Sequence, residues 1–260
     1  MARLNLLTAT AVAAVLGIAG AQAADMPVYY EQQAAPEFGG WYIRGDIGGS
    51  HQISDDLDSP YFDEIAAGGD TLYLFDSKWE PSWFIGAGVG YQFTDSLRAD
   101  ITGEYRFGSD FTGSDAYDTD SDGDINGTNN YDGEKEEAVF LVNAYWDLPT
   151  YGIMKPYVGA GVGASWIRIS DFTDTSPNPL AIGLSGDTEQ WNLAWALHAG
   201  LGFELSQNLT LDVGYRFLYL GDAGTEDLVT PAGGNATFNP FNFNNIMSHD
   251  VKVGLRYRFN

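Results

Sequence analysis

The stretch LRADITGEYRF, residues 97–107, decides the fold. Its alternate residues are apolar (Leu97, Ala99, Ile101, Tyr105 and Phe107), and those between them are polar or charged (Arg98, Asp100, Thr102, Glu104 and Arg106). Successive side chains of a β-strand point to opposite faces, so the stretch predicts a strand with one apolar and one charged face. Its length of about eleven residues is typical of a strand that crosses a membrane.

Seven other stretches alternate in the same way. They read GWYIRGDIGG (40–49), WFIGAGVGYQF (83–93), AVFLVNAYWD (138–147), PYVGAGVGASW (156–166), WNLAWALHAGLGFEL (191–205), LTLDVGYRFLYL (209–220) and HDVKVGLRYRF (249–259). Short links (94–96, 148–155 and 206–208) alternate with long ones (52–82, 108–137, 167–190 and 221–248). This alternation is typical of periplasmic turns and external loops. The sequence therefore predicts an all-β, eight-stranded antiparallel transmembrane up-and-down β-barrel over 40–260, with four long extracellular loops.

A soluble β-sandwich or a lipocalin-like barrel would also alternate, but it would bury the apolar face and expose the charges. Two features favour the membrane. Glycines crowd the polar face, as expected in a narrow interior. Aromatic residues also gather near both ends of the apolar face, where two membrane–water interfaces would lie. They are Trp41, Phe93, Trp146, Phe203, Tyr257 and Phe259 at one end and Trp83, Phe107, Trp166, Trp191 and Phe217 at the other.

The N-terminus is typical of export. Arg3 precedes an apolar stretch from Leu6 to Ala19, and Ala21 and Ala23 supply the small residues of a cleavage site. We expect residues 1–23 to form a cleaved signal peptide, with the cut placed to within one residue. Residues 24–39 are then a short periplasmic tail.

Composition excludes several classes of protein. The chain has 260 residues, 12 Lys and Arg against 36 Asp and Glu, a net charge of −24 and no Cys. Nucleic acid is not an expected partner, because phosphate binding depends on Lys and Arg. The absence of Cys excludes disulfide scaffolds, Cys-ligated metals and thiol catalysis.

The charged face of the strands predicts a neutral interior. Seven bases and seven acids have the parity of that face, and we expect them to form a lumen ion-pair network. They are Arg44, Asp46, Arg98, Asp100, Glu104, Arg106, Asp147, Glu204, Asp212, Arg216, Asp250, Lys252, Arg256 and Arg258. A buried charge without a partner costs roughly 3–5 kcal/mol, so the charges should pair. Side chains fill an eight-stranded barrel, which favours a plugged interior over an open pore.

The four long links hold 25 acids against Lys78, Lys135 and Arg168. A solvated, repulsive outer surface or a cation-binding one would both explain this charge. One link contains DTDSDGDINGTN (118–129), in which Asp118, Asp120, Asp122 and Asp124 have the spacing of a calcium-binding loop. Asn129 stands where such a loop needs a bidentate carboxylate, and no flanking helices are evident. Ca²⁺ in this second loop is the one cofactor expectation.

The last strand carries a family resemblance. Lys252, Gly254, Tyr257 and Phe259 fit the polar-x-Gly-x-x-aromatic-x-aromatic pattern that the barrel-assembly machinery recognises, with Asn260 as a departure. With GAGVGYQF (86–93) and LTLDVGYRFLYLGD (209–222), the chain resembles the small outer-membrane β-barrel family of Gram-negative bacteria. That family includes OmpA-like transmembrane domains and porin-family surface antigens. The resemblance implies a surface-exposed integral outer-membrane barrel that supports envelope integrity or host contact.

An enzyme is not expected. Of the three histidines, His198 has the parity of the interior, and His51 has no evident partner. His249 is adjacent to Ser248 and Asp250, which must point to the opposite face. The leading hypothesis is a structural envelope protein. The alternatives are an adhesin, surface antigen or receptor that binds host, phage or cations through its loops, and a small ion pore. Expected partners are outer-membrane lipid, lipopolysaccharide and the assembly machinery, and we expect a monomer.

Overall fold

The computed structural model describes residues 39–54, 56–68, 70–118, 122–177, 180–234 and 239–259. The predicted signal peptide (1–23) and all but Gly39 of the predicted tail (24–39) lie outside the described residues. The elements are β1 (Gly40–Ile53), β2 (Asp56–Asp58), α1 (Pro60–Gly68), β3 (Thr71–Trp79), β4 (Ser82–Gln92), β5 (Leu97–Asp118), β6 (Gly127–Asp147), β7 (Met154–Pro177), β8 (Leu180–Leu184), β9 (Thr188–Glu204), β10 (Leu209–Gly224) and β11 (Asn242–Arg258).

Eight of these strands form a closed ring. β1, β4, β5, β6, β7, β9, β10 and β11 each pair antiparallel with the next, and β11 pairs with β1 from Arg258–Tyr42 to Met247–Ile53. The short strands β2, β3 and β8 add to β11, β5 and β7. The predicted eight-stranded antiparallel barrel is therefore confirmed. We call the end that carries residues 93–96, 148–153 and 205–208 the turn end, and the opposite end the loop end.

The two faces of the wall have the orientation of a membrane barrel. In β1, Trp41 and Ile47 are 60% and 56% exposed, whereas Arg44 and Asp46 are buried. In β5, Ile101 is 60% exposed on the outside and Arg98 is fully buried inside. Apolar side chains outside and charges inside are the reverse of a soluble barrel, so lipid rather than water fits the outer face.

Three strands continue beyond the predicted spans. β5 runs to Asp118, β6 starts at Gly127 and β7 runs to Pro177, so much of 108–137 and part of 167–190 are paired strand. The sequence did not predict this, because β-bulges shift the period. One extra residue lies between Arg106 and Ser109 of β5, and another between Ser170 and Thr173 of β7. Each bulge reverses which residues face inward.

The loop end has its own apolar core. Aromatic and aliphatic side chains of the ring strands meet inside the ring with Leu57, Phe62, Trp79, Leu228 and Phe241. Trp79, Phe111 and Phe243 lie at its centre, with ring centroids 4.8–5.0 Å apart. Core burial of this kind stabilises the loop end as packed structure rather than leaving it as loose connections.

Helix α1 covers one side of this core. Pro60 suits the first helical position, and the carbonyl of Ser59 accepts the N–H of Phe62 at 2.9 Å. Phe62 and Ile65, one turn apart, form its buried face. The Phe62 ring lies edge-on to that of Phe241, with centroids 5.7 Å apart. Within the described ranges no helix is long and apolar enough to span a membrane.

Candidate functional site

An ion-pair network fills the interior below the apolar core. Arg106 contacts three carboxylates: Glu104 at 3.0 Å, Glu137 at 2.9 Å and Asp250 at 2.9 Å. Arg216 shares two of them, with Glu104 at 2.7 Å and Asp250 at 2.6 Å. Each acid in this cluster is thus held by more than one donor, which is what buried charges require.

A second cluster lies nearer the turn end. Arg44 pairs with Asp46 at 2.7 Å and with Asp100 at 3.0 Å. Asp100 also accepts from Tyr42 Oη at 3.0 Å and from Asn143 Nδ2 at 2.8 Å. The Arg44–Asp100 ion pair therefore joins β1 and β5, two strands that are not neighbours in the ring, across the interior.

Arg98 closes the turn end of the interior. It pairs with Asp147 at 3.0 Å, and its guanidinium lies 4.0 Å from the centroid of the Tyr145 ring and 4.8 Å from that of Tyr157. Its terminal nitrogens have no hydrogen-bond partner among the described residues. The two ring faces stabilise the cation instead.

The membership of this network differs from the predicted set at four places. Glu204 is exposed, and Arg258, which is partly exposed, donates to the carbonyl of Gln207 at 3.1 Å, because both residues lie at the turn-end rim. Lys135 and Glu137 are buried and pair inside. The period of β6 could have revealed them, since inward positions from Asp147 run in steps of two to Glu137 and Lys135. One acid and one base leave and one of each enter, so the described network stays neutral.

The other predicted members lie in the wall or the interior. Asp212 pairs with Arg256 at 3.2 Å, and Lys252 is buried. Of the predicted assembly signal, Tyr257 and Phe259 are exposed on the outer face with ring centroids 5.5 Å apart. Recognition by the assembly machinery stays a prediction.

The predicted calcium loop is partly described. Asp120 lies outside the described residues. Asp118 accepts the N–H of Gly123 at 2.9 Å, and Asp122 accepts the N–H of Asp124 at 2.8 Å, so both carboxylates stabilise the turn. Across the described ranges, no three His, Asp or Glu side chains come together as metal ligands. Calcium binding stays a prediction.

The histidines lie on different faces of the wall. His198 is buried, and its Nε2 is 3.1 Å from Asn143 Oδ1. His249 is exposed outside, where its Nδ1 is 2.6 Å from Tyr215 Oη, and it pairs across the sheet with His51. Ser248 and Asp250 are buried inside, as their parity predicts.

A cavity of about 320 Å³ lies at the loop end, between strands β7 and β8 on one side and residues 228–230, Gly234 and Asn239 on the other. Sequence reasoning missed it. Two aromatic rings, three polar side chains and an aliphatic floor are its main features: Tyr61, Tyr117, Asn129, Asp174, Ser176 and Leu228. We call it the loop-end pocket.

Two aspartates near the loop-end pocket differ in their partners. Asp115 accepts from the backbone N–H of Asn129 at 3.2 Å, from Asn129 Nδ2 at 3.0 Å and from the hydroxyl of Tyr131. By contrast, Asp174 Oδ1 and Ser176 Oγ are buried and have no hydrogen-bond partner among the described residues. A buried acceptor without a donor is costly and points to a missing ligand or solvent.

Burial changes the protonation of the pocket carboxylate. It raises the pKa of Asp174 to about 7, and the nearby charge of Asp115 adds to this rise. Burial also raises the pKa of Asp115, against the opposing effect of hydrogen bonds from Tyr131 and Asn129. A strongly shifted group in a cavity is a candidate functional group.

Comparison with known proteins identifies the kind of protein that this chain resembles. A model of the outer membrane protein beta-barrel domain matches residues 11–259. An uncharacterized protein of Brucella suis biovar 1 is 30% identical, over 94% of this chain and 95% of its own. Outer membrane protein PagN of Salmonella typhimurium is 26% identical, over 85% of this chain and 90% of its own. A protein of Rickettsia massiliae named as a candidate adhesin is 23% identical, over 84% and 87%.

Proposed function

The chain belongs to the outer membrane protein beta-barrel family, and from that premise we propose that it is an adhesin-type surface protein whose acidic loop end binds a basic partner. It is an integral protein of the outer membrane. The observation that carries the proposal is the ordered structure of the loop end. There, extended strands, a helix and an apolar core surround the loop-end pocket. A protein that only spans the membrane needs none of these parts.

Charge supports a basic partner. The interior network is neutral over the described residues, so the net charge of −24 resides largely in the segments that connect the strands at the loop end. Exposed acids such as Asp110, Asp124 and Glu226 carry part of it. A surface of one sign attracts partners of the other sign and repels polyanions.

The relatives give modest further support. The Rickettsia massiliae relative is named as a candidate adhesin, and the match extends over most of both chains. The similarity supports the class of function rather than any particular ligand. Surface loops carry binding specificity, and they vary most between homologues.

A structural role in the envelope is the main competing hypothesis, and it was the leading one from the sequence. The ion-pair network of the interior favours a structural role, because ion pairs across the lumen stabilise the barrel wall. It gives no reason for an unpartnered carboxylate in a lined pocket. The two hypotheses also differ in what the exposed acids should do.

The test neutralises acids at each end of the barrel. One variant carries Asp110→Asn, Asp122→Asn, Asp124→Asn and Glu226→Gln at the loop end, and the control carries Asp95→Asn and Glu204→Gln at the turn end; all six residues are exposed. Each protein is expressed in a non-adherent Gram-negative laboratory strain. Attachment to cultured epithelial cells and leakage of a periplasmic enzyme are then measured.

We expect wild type and the turn-end control to promote attachment and the loop-end variant to lose most of it. Leakage should be the same in all three strains. Unchanged attachment together with increased leakage in the loop-end variant would instead identify a structural role.

A further inference from the structure

We propose that the loop-end pocket binds one organic cation, an alkylammonium or guanidinium group such as a lysine or arginine side chain of the basic partner or a free polyamine. The inference rests on the proposed function and names the group that the acidic surface receives. It depends on three features of the pocket: a carboxylate oxygen without a partner, a hydroxyl without a partner, and aromatic and aliphatic walls without a base.

The carboxylate is that of Asp174. Asp174 lies on β7, opposite Tyr131 of β6 and Gly183 of β8, and the bulge at Asp171 gives it its inward parity. Its Oδ1 is buried and receives no donor from the described residues, whereas Asp115 is fully bonded. An ammonium or guanidinium group would supply a charge-assisted hydrogen bond at this atom.

Ser176 supplies the second acceptor. It lies two residues after Asp174 on the same face of β7, and its Oγ is also buried without a partner among the described residues. Cationic groups carry several N–H donors and no acceptor. Asp174 Oδ1 and the lone pairs of the Ser176 hydroxyl can both accept from such a group, so the pocket is complementary to it.

The walls suit a long basic side chain. Tyr61 and Tyr117 offer ring faces, Leu228 offers an aliphatic surface, and no described lining residue is Lys or Arg. Such a side chain can pack its methylene stem on apolar surface and place its charge near a ring. A volume of about 320 Å³ fits one side chain and is small for a larger ligand. One carboxylate is too few for Ca²⁺, which takes about 6–8 oxygen ligands.

Calorimetry on the refolded full-length mature chain in lipid nanodiscs tests this at pH 8. The probes are the Nα-acetyl methylamides of lysine and arginine, spermidine, and the neutral norleucine analogue. We expect at least one cation to bind about tenfold or more tightly than the norleucine analogue, and Asp174→Asn to weaken it by about tenfold or more. The amino-acid amides and spermidine distinguish a protein side chain from a free polyamine as the source.

Asp171→Asn is the matched control. It removes the same charge three residues away on an exposed side chain, and asparagine tolerates the left-handed backbone of Asp171. We expect its affinity to stay within about twofold of wild type, since screened surface charges interact weakly. Equal loss in both variants, equal binding of the norleucine analogue, or no binding of any cation would overturn the inference.

Calorimetric cation binding tests the pocket inference, and cell attachment tests the proposed function. Either result can be negative while the other is positive. Attachment by wild-type cells without cation binding in nanodiscs overturns the pocket inference and leaves the proposed function standing. Cation binding without attachment overturns the proposed function and leaves the pocket inference standing, and the comparison of the amides with spermidine then gives the source of the cation.

Discussion

A single carboxyl group, that of Asp174, links the pocket to the stability of the loop end. Its pKa of about 7 in the folded chain is well above the ordinary 3.8, because the group is buried and lies near Asp115. Between these two pH values the folded state holds a proton that the unfolded state lacks. Its stabilising contribution is therefore fully present below about pH 4 and is lost as pH rises through 7.

The expected result is a local loss of stability as the pH rises from about 5 to 7, with little further change above pH 8. The β7–β8 hairpin should open more readily by about 2 kcal/mol between pH 5 and pH 7, and Asp174→Asn should abolish the change. The other titratable groups around this site are Asp115, Tyr131, Tyr61 and Tyr117, and the charge that acts on Asp174 itself is that of Asp115. The free energy of opening is measured by amide hydrogen exchange of residues 173–184, after correction for the pH dependence of the intrinsic exchange rates.

An unchanged pH dependence in Asp174→Asn would assign the effect to Asp115 instead. The same protonation should also act on the ligand. Because only the ionised carboxylate attracts a cation, affinity for the lysine amide should fall as pH drops below 7. Stability and cation binding at this residue therefore respond to pH in opposite directions.

Among the secondary-structure elements, the segments of the eight ring strands that lie within the membrane could be predicted from the sequence. LRADITGEYRF keeps a strict period of two, and every charged residue in it faces inward in β5. Lipid on one side and a confined interior on the other impose that period at each position. Beyond the membrane, water wets the outer face, and the sequence loses the contrast between the faces.

The parts of β5 and β7 that extend beyond the membrane could not be predicted from the period of two, because each contains a β-bulge. The bulge after Arg106 moves the inward positions from even to odd residue numbers, so that Phe111 and Asp115 face inside. Asp171, with a φ of 52°, does the reverse in β7 and aims Phe172 inward. The loop-end pocket could not be found from the sequence, because its walls come from α1, β5, β6, β7, β8 and the described residues 228–230, 234 and 239.

Close packing between strands gives a prediction about two glycines. A Cβ on Gly200 of β9 would lie 2.5 Å from Tyr157 Oη and 2.6 Å from the carbonyl oxygen of Val213. The carbonyl belongs to the neighbouring strand and cannot move aside. Gly200→Ala should therefore lower the free energy of unfolding by about 1–3 kcal/mol. Denaturant unfolding of the refolded barrel in lipid vesicles is the measurement.

Gly49→Ala is the control, because a Cβ there would have no neighbour within 4 Å. It should change the free energy of unfolding by no more than about 0.5 kcal/mol. Similar destabilisation by the two substitutions would mean that both positions need glycine for its backbone conformation. The steric explanation, in which Gly200 leaves space for Tyr157, would then be wrong.

The whole molecule separates its charges by region. Seven acids and seven bases of the described network cancel inside the wall, and the excess of acid lies in the connecting segments. A neutral interior in which most charges pair reduces the cost of buried charge, while the loop end remains free to act on partners. The same separation places two different barriers along the axis, one ionic and one apolar.

These two barriers in series bear on the ion-pore hypothesis. Ions would have to pass Arg106 and Arg216, each held by at least two carboxylates, and then the packed rings of Trp79, Phe111 and Phe243. We expect no steady conductance from the wild type in planar bilayers. Arg106→Ala with Arg216→Ala should also fail to conduct, because the apolar core still closes the path. Stable ohmic steps from wild type, abolished by substitutions in the network, would contradict the plugged interior and favour a pore.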